Sequence, residues 1–149
     1  MGMVMVVVSL VAGFVGVLYG AGVSAKVSQR QELMRARVRQ HRALRVLVEF
    51  LARERQRIDA APVAPTHDDY RYVGAQGTHL AYLASLEAID VDVVDTLTKA
   101  QAHLAELRTY ADTECLLDET IGVLERATRE AALRAAGGKP TTYLGSLLT

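Results

Sequence analysis

Residues Ser24 to Ala60 read SAKVSQRQELMRARVRQHRALRVLVEFLARERQRIDA and contain neither proline nor glycine. Met34, Val38, His41, Leu44, Val48, Leu51 and Ile58, apolar apart from the histidine, recur at mostly three- and four-residue steps, which places them on one face of a helix. The first half of the stretch is mainly arginine and glutamine. Leu44 to Leu51 (LRVLVEFL) is strongly apolar, so the spacing predicts a long amphipathic helix over 26–60 whose second half must pack on something. The chain's own C-terminal region is the expected cover. A partner subunit is the other way to hide such a stripe.

Upstream, Met1 to Ala25 carries no charged side chain. At about 1.5 Å per residue such a helix crosses a hydrocarbon core of about 30 Å with some tilt, so residues 1–25 are expected to form a transmembrane helix that runs on into the amphipathic one. Val23-Ser24-Ala25 also suits a signal-peptide cleavage site. No basic residue precedes the apolar run, however, and the run exceeds the roughly 7–15 residues of a signal core. Inside it stand Gly13, Gly16, Gly20 and Gly22, although each glycine in a helix interior costs about 0.5–1 kcal/mol relative to alanine. In lipid, small residues let helix backbones approach closely. Ala12, Gly16 and Gly20, each four residues from the next and widened by Gly13 and Ser9, therefore form the expected helix-packing ridge.

The formal net charge of zero hides an asymmetry. From Lys26 to Arg57 ten basic residues face three acids, a net of +7, whereas from Ile58 onward seven basic residues face fourteen acids, a net of −7. A basic segment directly after a span suits anionic headgroups, which makes Lys26, Arg30, Arg35, Arg37 and Arg39 the expected lipid contacts, with anionic lipids such as cardiolipin as ligands. No recognition motif or aromatic-studded groove accompanies the basic run, so nucleic acid is not an expected partner.

Pro62 and Pro65 stop the amphipathic helix, and residues 61–77 (APVAPTHDDYRYVGAQG) read as a loop. A helical C-terminal region is expected over 78–136. Thr78 is the candidate N-cap of a short helix near His79–Ile89, and Asp90 or Asp92 that of the next. Leu97, Ala100, Leu104, Leu107 and Ala111 then share a face. Beyond Asp112 the better series is Leu117, Ile121, Leu124, Ala127, Ala131 and Ala135, which signals either an interruption near Asp112-Thr113 or a stutter. Gly137-Gly138 followed by Pro140 is a helix stop, and the tail over 137–149 ends in TTYLGSLLT, apolar enough to dock on a neighbour. The fold class expected is all-α.

Chemistry-bearing patterns are sparse. His67, Asp68 and Asp69 stand together in the expected loop, but calcium-loop spacing is absent and the plain reading is a solvated turn. His103 and Glu106 lie one helical turn apart without the second such pair that a helical metal site needs. Cys115 is alone, which excludes an intramolecular disulfide. No phosphate-cradling glycine loop, nucleophile elbow or zinc signature is present. No catalytic residue, metal or cofactor is expected, and the chain reads as a non-enzyme.

The string Phe14-Val-Gly16-Val-Leu-Tyr19-Gly20-Ala21, followed by Lys26 and the Arg-rich helix, resembles subunit e of the mitochondrial F-type ATP synthase. That family carries a glycine-xxx-glycine ridge in an aromatic-glycine setting before a basic helix. The resemblance covers about residues 10–57, with one extra residue between the first aromatic and its glycine. It implies a non-catalytic, single-pass subunit of the mitochondrial inner membrane that supports dimerisation of the synthase and cristae shape. It also implies that Gly16 and Gly20 contact the span of a subunit g-like companion among the other membrane subunits. The acidic region from about Asp59 has no counterpart in that family. Orientation conflicts as well, since the positive-inside rule puts the Arg-rich helix on the matrix or cytoplasmic side while the family's helix faces the intermembrane space. The competing class is a bacterial or phage single-span, membrane-tethered helical scaffold or lysis protein. A third is a lipid-sensing tether acting through the Arg-rich helix alone.

Overall fold

The computed structural model describes the backbone of residues 2–107 and 113–137 and, within these, the side chains of 22–107 and 114–137. The chain is all-α: α1 spans Gly2–Ala60, α2 His67–Glu87, α3 Val91–Glu106 and α4 Thr113–Ala135. It divides into two units, residues 1–35 and 36–149. The first contains the N-terminal part of α1. Its packing ridge at Ala12, Gly13, Gly16 and Gly20 lies outside the described side chains, as do Ala111 and the tail from Gly138 outside the described residues altogether. Among the described residues no helix is long and apolar enough to cross a membrane.

The second unit is an up-down-up-down four-helix bundle. Arg57 near the end of α1 reaches Asp69 at the start of α2 (3.4 Å), while Arg39 of α1 reaches Glu87 at the end of α2 (3.2 Å), so the two helices are antiparallel. His103 and Thr120 meet at one end of the α3–α4 pair and Asp92 and Arg134 at the other, which makes these antiparallel too. Arg55 closes the ring by bonding Asp118 of α4 (2.7 Å). Short connections between antiparallel neighbours favour this topology.

One periodicity runs through all four helices. In α1 the buried residues are Gln40, Leu44, Leu47, Leu51 and Ile58; in α3 they are Val93, Leu97, Ala100 and Leu104; in α4 Leu117, Thr120, Leu124 and Ala131. These are alternating three- and four-residue steps, the 3.5-residue period of knobs-into-holes packing. The missing place in α1 is Glu54, whose side chain is 13% exposed and bonded to Arg57 at 2.7 Å. The face expected in α1 thus shifts: Leu47 replaces Val48 at the centre, and Val38 is 43% exposed. A 3.5-residue repeat departs from the straight-helix period by about 20° per heptad, enough to move the edges of the stripe.

The expected loop over 61–77 is a correction. Only residues 61–66 are non-helical, and α2 starts at His67, not near His79. Thr66 is the N-cap; the Asp69 carboxylate accepts bonds from the Thr66 amide (3.0 Å) and hydroxyl (2.8 Å), so Asp68 and Asp69 are first-turn acids at the positive end of a helix. Thr78 is mid-helix, its hydroxyl donating to the Gly74 carbonyl. Gly74 and Gly77 are not turn residues but buried packing positions, in line with Ala81 and Ala84. A Cβ at Gly77 would lie 3.0 Å from Leu104 Cδ2 and 3.2 Å from Leu51 Cδ2. The small residue thus lets α2 sit close to both α1 and α3.

The other boundaries follow the sequence. Asp90 is the N-cap of α3, which ends at Glu106, and α4 begins at Thr113; the expected register change near Asp112 falls on residues 108–112, outside the described residues. At the end of α4 the Gly137 amide bonds the Arg134 carbonyl (3.2 Å), and Gly137 takes φ 80°, the left-handed conformation that glycine adopts without penalty.

Candidate functional site

Apolar side chains fill the bundle interior, so polar chemistry collects at its ends. At one end Gln40 of α1 is buried in the core, where its Oε1 accepts bonds from the amides of Ile89 (2.8 Å) and Asp90 (3.1 Å) and its Nε2 donates to Asp90 Oδ2 (2.8 Å). Asp90 therefore does not cap α3 with its own side chain. Its carboxylate also faces Arg134 of α4 (3.2 Å), which binds Asp92 through two nitrogens at 2.9 and 2.5 Å. One buried amide thus ties three elements: α1, the α2–α3 turn and, through Asp90, α4. Gln40→Leu should lower stability by about 1–2 kcal/mol, because two part-buried amides and the Asp90 carboxylate lose their partner. Urea unfolding followed by circular dichroism checks this.

The Arg134 guanidinium holds the Asp92 carboxyl below its ordinary range, chiefly through their hydrogen bonds. A depressed carboxylate stabilises the fold fully above its unfolded value, near pH 4, and that contribution is lost as pH falls through the folded value. Asp92 is half exposed, so solvent screening keeps the effect below about 1 kcal/mol. Asp92→Asn should accordingly lower the melting temperature slightly at pH 6, and the difference from the parent protein should shrink as the pH falls below about 4.

At the opposite end Arg55 bonds Asp118 (2.7 Å), Glu114 (2.7 Å) and Asp59. The Arg55 side chain is mostly covered, and its charge is matched by Asp59 on its own helix and by Glu114 and Asp118 on α4. Such a group fixes register between α1 and α4.

The expected lipid contacts divide along α1. Lys26, Arg30 and Arg35 are exposed. Arg37 is half-buried, with its Nε enclosed and without a hydrogen-bond partner, and Arg39 pairs with Glu87. The last two thus sit within the bundle unit and face protein as well as solvent. His67 and Asp68 are exposed at the start of α2, and His103 Nδ1 lies 3.4 Å from Thr120 Oγ1. Among the described residues no group of three His, Cys, Asp or Glu side chains is placed to hold a metal ion, and Cys115 is exposed.

The sequence reading missed an apolar groove between α1 and α2. Ala43, Val46, Leu80, Leu83 and Leu86 line it, Arg39, Arg42 and Glu87 form its rim, and its volume is about 430 Å³. Val46, Leu83 and Leu86 remain 49%, 44% and 64% exposed along it. Apolar surface gathered in one trough and edged by charge is the form of an interaction site. The signal for it was latent: Leu80, Leu83 and Leu86 recur at three-residue steps beside the buried Ala81 and Ala84.

No protein-family model, curated protein or solved structure matches this chain.

Proposed function

We propose that this protein is a non-catalytic, membrane-anchored scaffold: residues 1–25 cross a membrane once, and the bundle formed from residue 36 onward binds a partner in the aqueous phase. The observation that carries the reading is α1 itself, a single helix holding both the uncharged run and the first helix of the bundle, with neither proline nor glycine between Ser24 and Ala60. Chain connectivity thus couples an apolar anchor directly to a packed domain. The buried polar groups favour a structural role, since Gln40 and Thr120 are spent on a helix start and a helix carbonyl and the end clusters are ion pairs between helices. Lys26, Arg30 and Arg35, exposed just after the apolar run, supply the contacts to anionic headgroups.

A bacterial or phage tether of this kind accounts for the whole chain. The resemblance to ATP synthase subunit e supports a narrower proposal, a mitochondrial inner-membrane subunit paired with a subunit g-like companion, for residues 10–57 only. Migration in mild detergent distinguishes the two, because a synthase subunit runs with a large complex and a tether runs small. Within either reading Gly16→Leu or Gly20→Leu keeps the run hydrophobic and raises its helix propensity, so membrane retention should persist while close helix approach, and with it the membrane partner, is lost. Val17→Leu should do little. Retention of the partner by both glycine variants would remove the packing ridge from the proposal.

A further inference from the structure

The α1–α2 groove has an occupant within this same chain. We propose that it is a docking site for residues Tyr143 to Leu148, so that the C-terminal tail covers the trough lined by Val46, Leu83 and Leu86. Three observations converge on this. The first is chemistry: the segment reads YLGSLL, four large apolar side chains within six residues, and no charged side chain follows Lys139. An uncharged segment suits the trough's apolar lining, since of the rim arginines Arg39 is already matched by Glu87 and Arg42 is exposed to solvent.

The second is position. The last turn of α4 carries Arg134, which bonds Asp90; Asp90 bonds Gln40 of α1; and the residue beside Gln40 is Arg39, on the groove's rim. The tail therefore departs from the end of the bundle at which the groove opens. Gly137, in its left-handed conformation, ends the helix there.

The third is reach. Six residue steps separate Gly137 from Tyr143, which span at most about 20 Å when extended. Passing round one helix to the neighbouring groove follows half its circumference, about 16–19 Å for a helix about 10–12 Å across with its side chains. An extended segment therefore reaches the groove, and it does so as an intramolecular ligand at high effective concentration. This inference goes beyond the scaffold reading and does not depend on it.

The test uses the full chain in mild detergent with a photoreactive benzoylphenylalanine in place of Tyr143. Irradiation is expected to give a product of monomer mass whose cross-linked peptide contains Val46, Leu83 or Leu86. The product should be lost in Leu86→Glu, a substitution at a 64% exposed position that leaves the bundle core untouched, as an unchanged melting curve would show. Cross-links found only between two chains would overturn the proposal in favour of a copy-to-copy interface. Cross-links to detergent alone, or to any other surface of the bundle, would overturn it as well. Failure of any of these kinds leaves the membrane and partner readouts for Gly16 and Gly20 unaffected, so the two proposals fail separately.

Discussion

Gly77→Val should destabilise the bundle by about 2–3 kcal/mol, although it replaces the residue with nearly the worst helix propensity by a better one. The reason is that the first added carbon already meets Leu104 at 3.0 Å and Leu51 at 3.2 Å, and the two methyls beyond it have no room without moving α2 away from α1 and α3. Gly77→Ala should be close to neutral. Its single carbon presses on the mobile ends of two leucines, and the gain of about 1 kcal/mol in helix propensity offsets the contact. Leu104→Ala alone should cost about 3 kcal/mol as a core truncation. Combined with Gly77→Val it should cost less than the sum by about 1 kcal/mol or more, since each change relieves what the other imposes. Urea unfolding of the four proteins closes this cycle. Strict additivity would mean that the helices separate at position 77 for another reason.

Leu47→Ala is the second large effect, about 3 kcal/mol, because Leu47 is fully enclosed and its truncation leaves a cavity between well-packed neighbours. Val38→Ala, on a residue that a 3.6-residue reading places on the same face, should change stability by less than about 0.5 kcal/mol, since that side chain is 43% exposed. The contrast between the two, read from denaturant midpoints at constant slope, tests the 3.5-residue packing directly. Equal losses at both positions would show that α1 turns a different face to the bundle.

The end clusters and the core divide the work of specifying this fold. Core leucines supply apolar burial but fit many registers, whereas Gln40, Arg55 and Arg134 fit one, because each finds its partners on other helices only in the observed alignment. A polar group that is satisfied in one register and orphaned in others disfavours the alternatives more than it stabilises the native state. This is why α1 enters the bundle at a defined position even though its apolar face drifts relative to a simple helical repeat.

From the residues alone, the all-α class, the long proline- and glycine-free helix over Ser24–Ala60, the burial of Leu44 and Leu51, a start of α3 at Asp90 or Asp92 and the stop after α4 at Gly137 were legible. These rest on local physics, where periodicity, breakers and caps act within a turn or two of the residues that carry them. What sequence could not decide is where non-local contacts overrule local preference. Gly74 and Gly77 signal a loop to any local reading, yet both lie buried inside α2, and at Gly77 Leu51 and Leu104, distant in sequence, occupy the space a side chain would need. Gln40 looks like one of many polar residues on a basic helix until the α2–α3 turn brings two amides to it. The α1–α2 groove likewise has no existence along the chain, since it is the space left when two antiparallel helices pack through small residues on one side and expose leucines on the other. Tertiary structure alone assigned these roles, because each depends on which surfaces meet and not on the residues' own propensities.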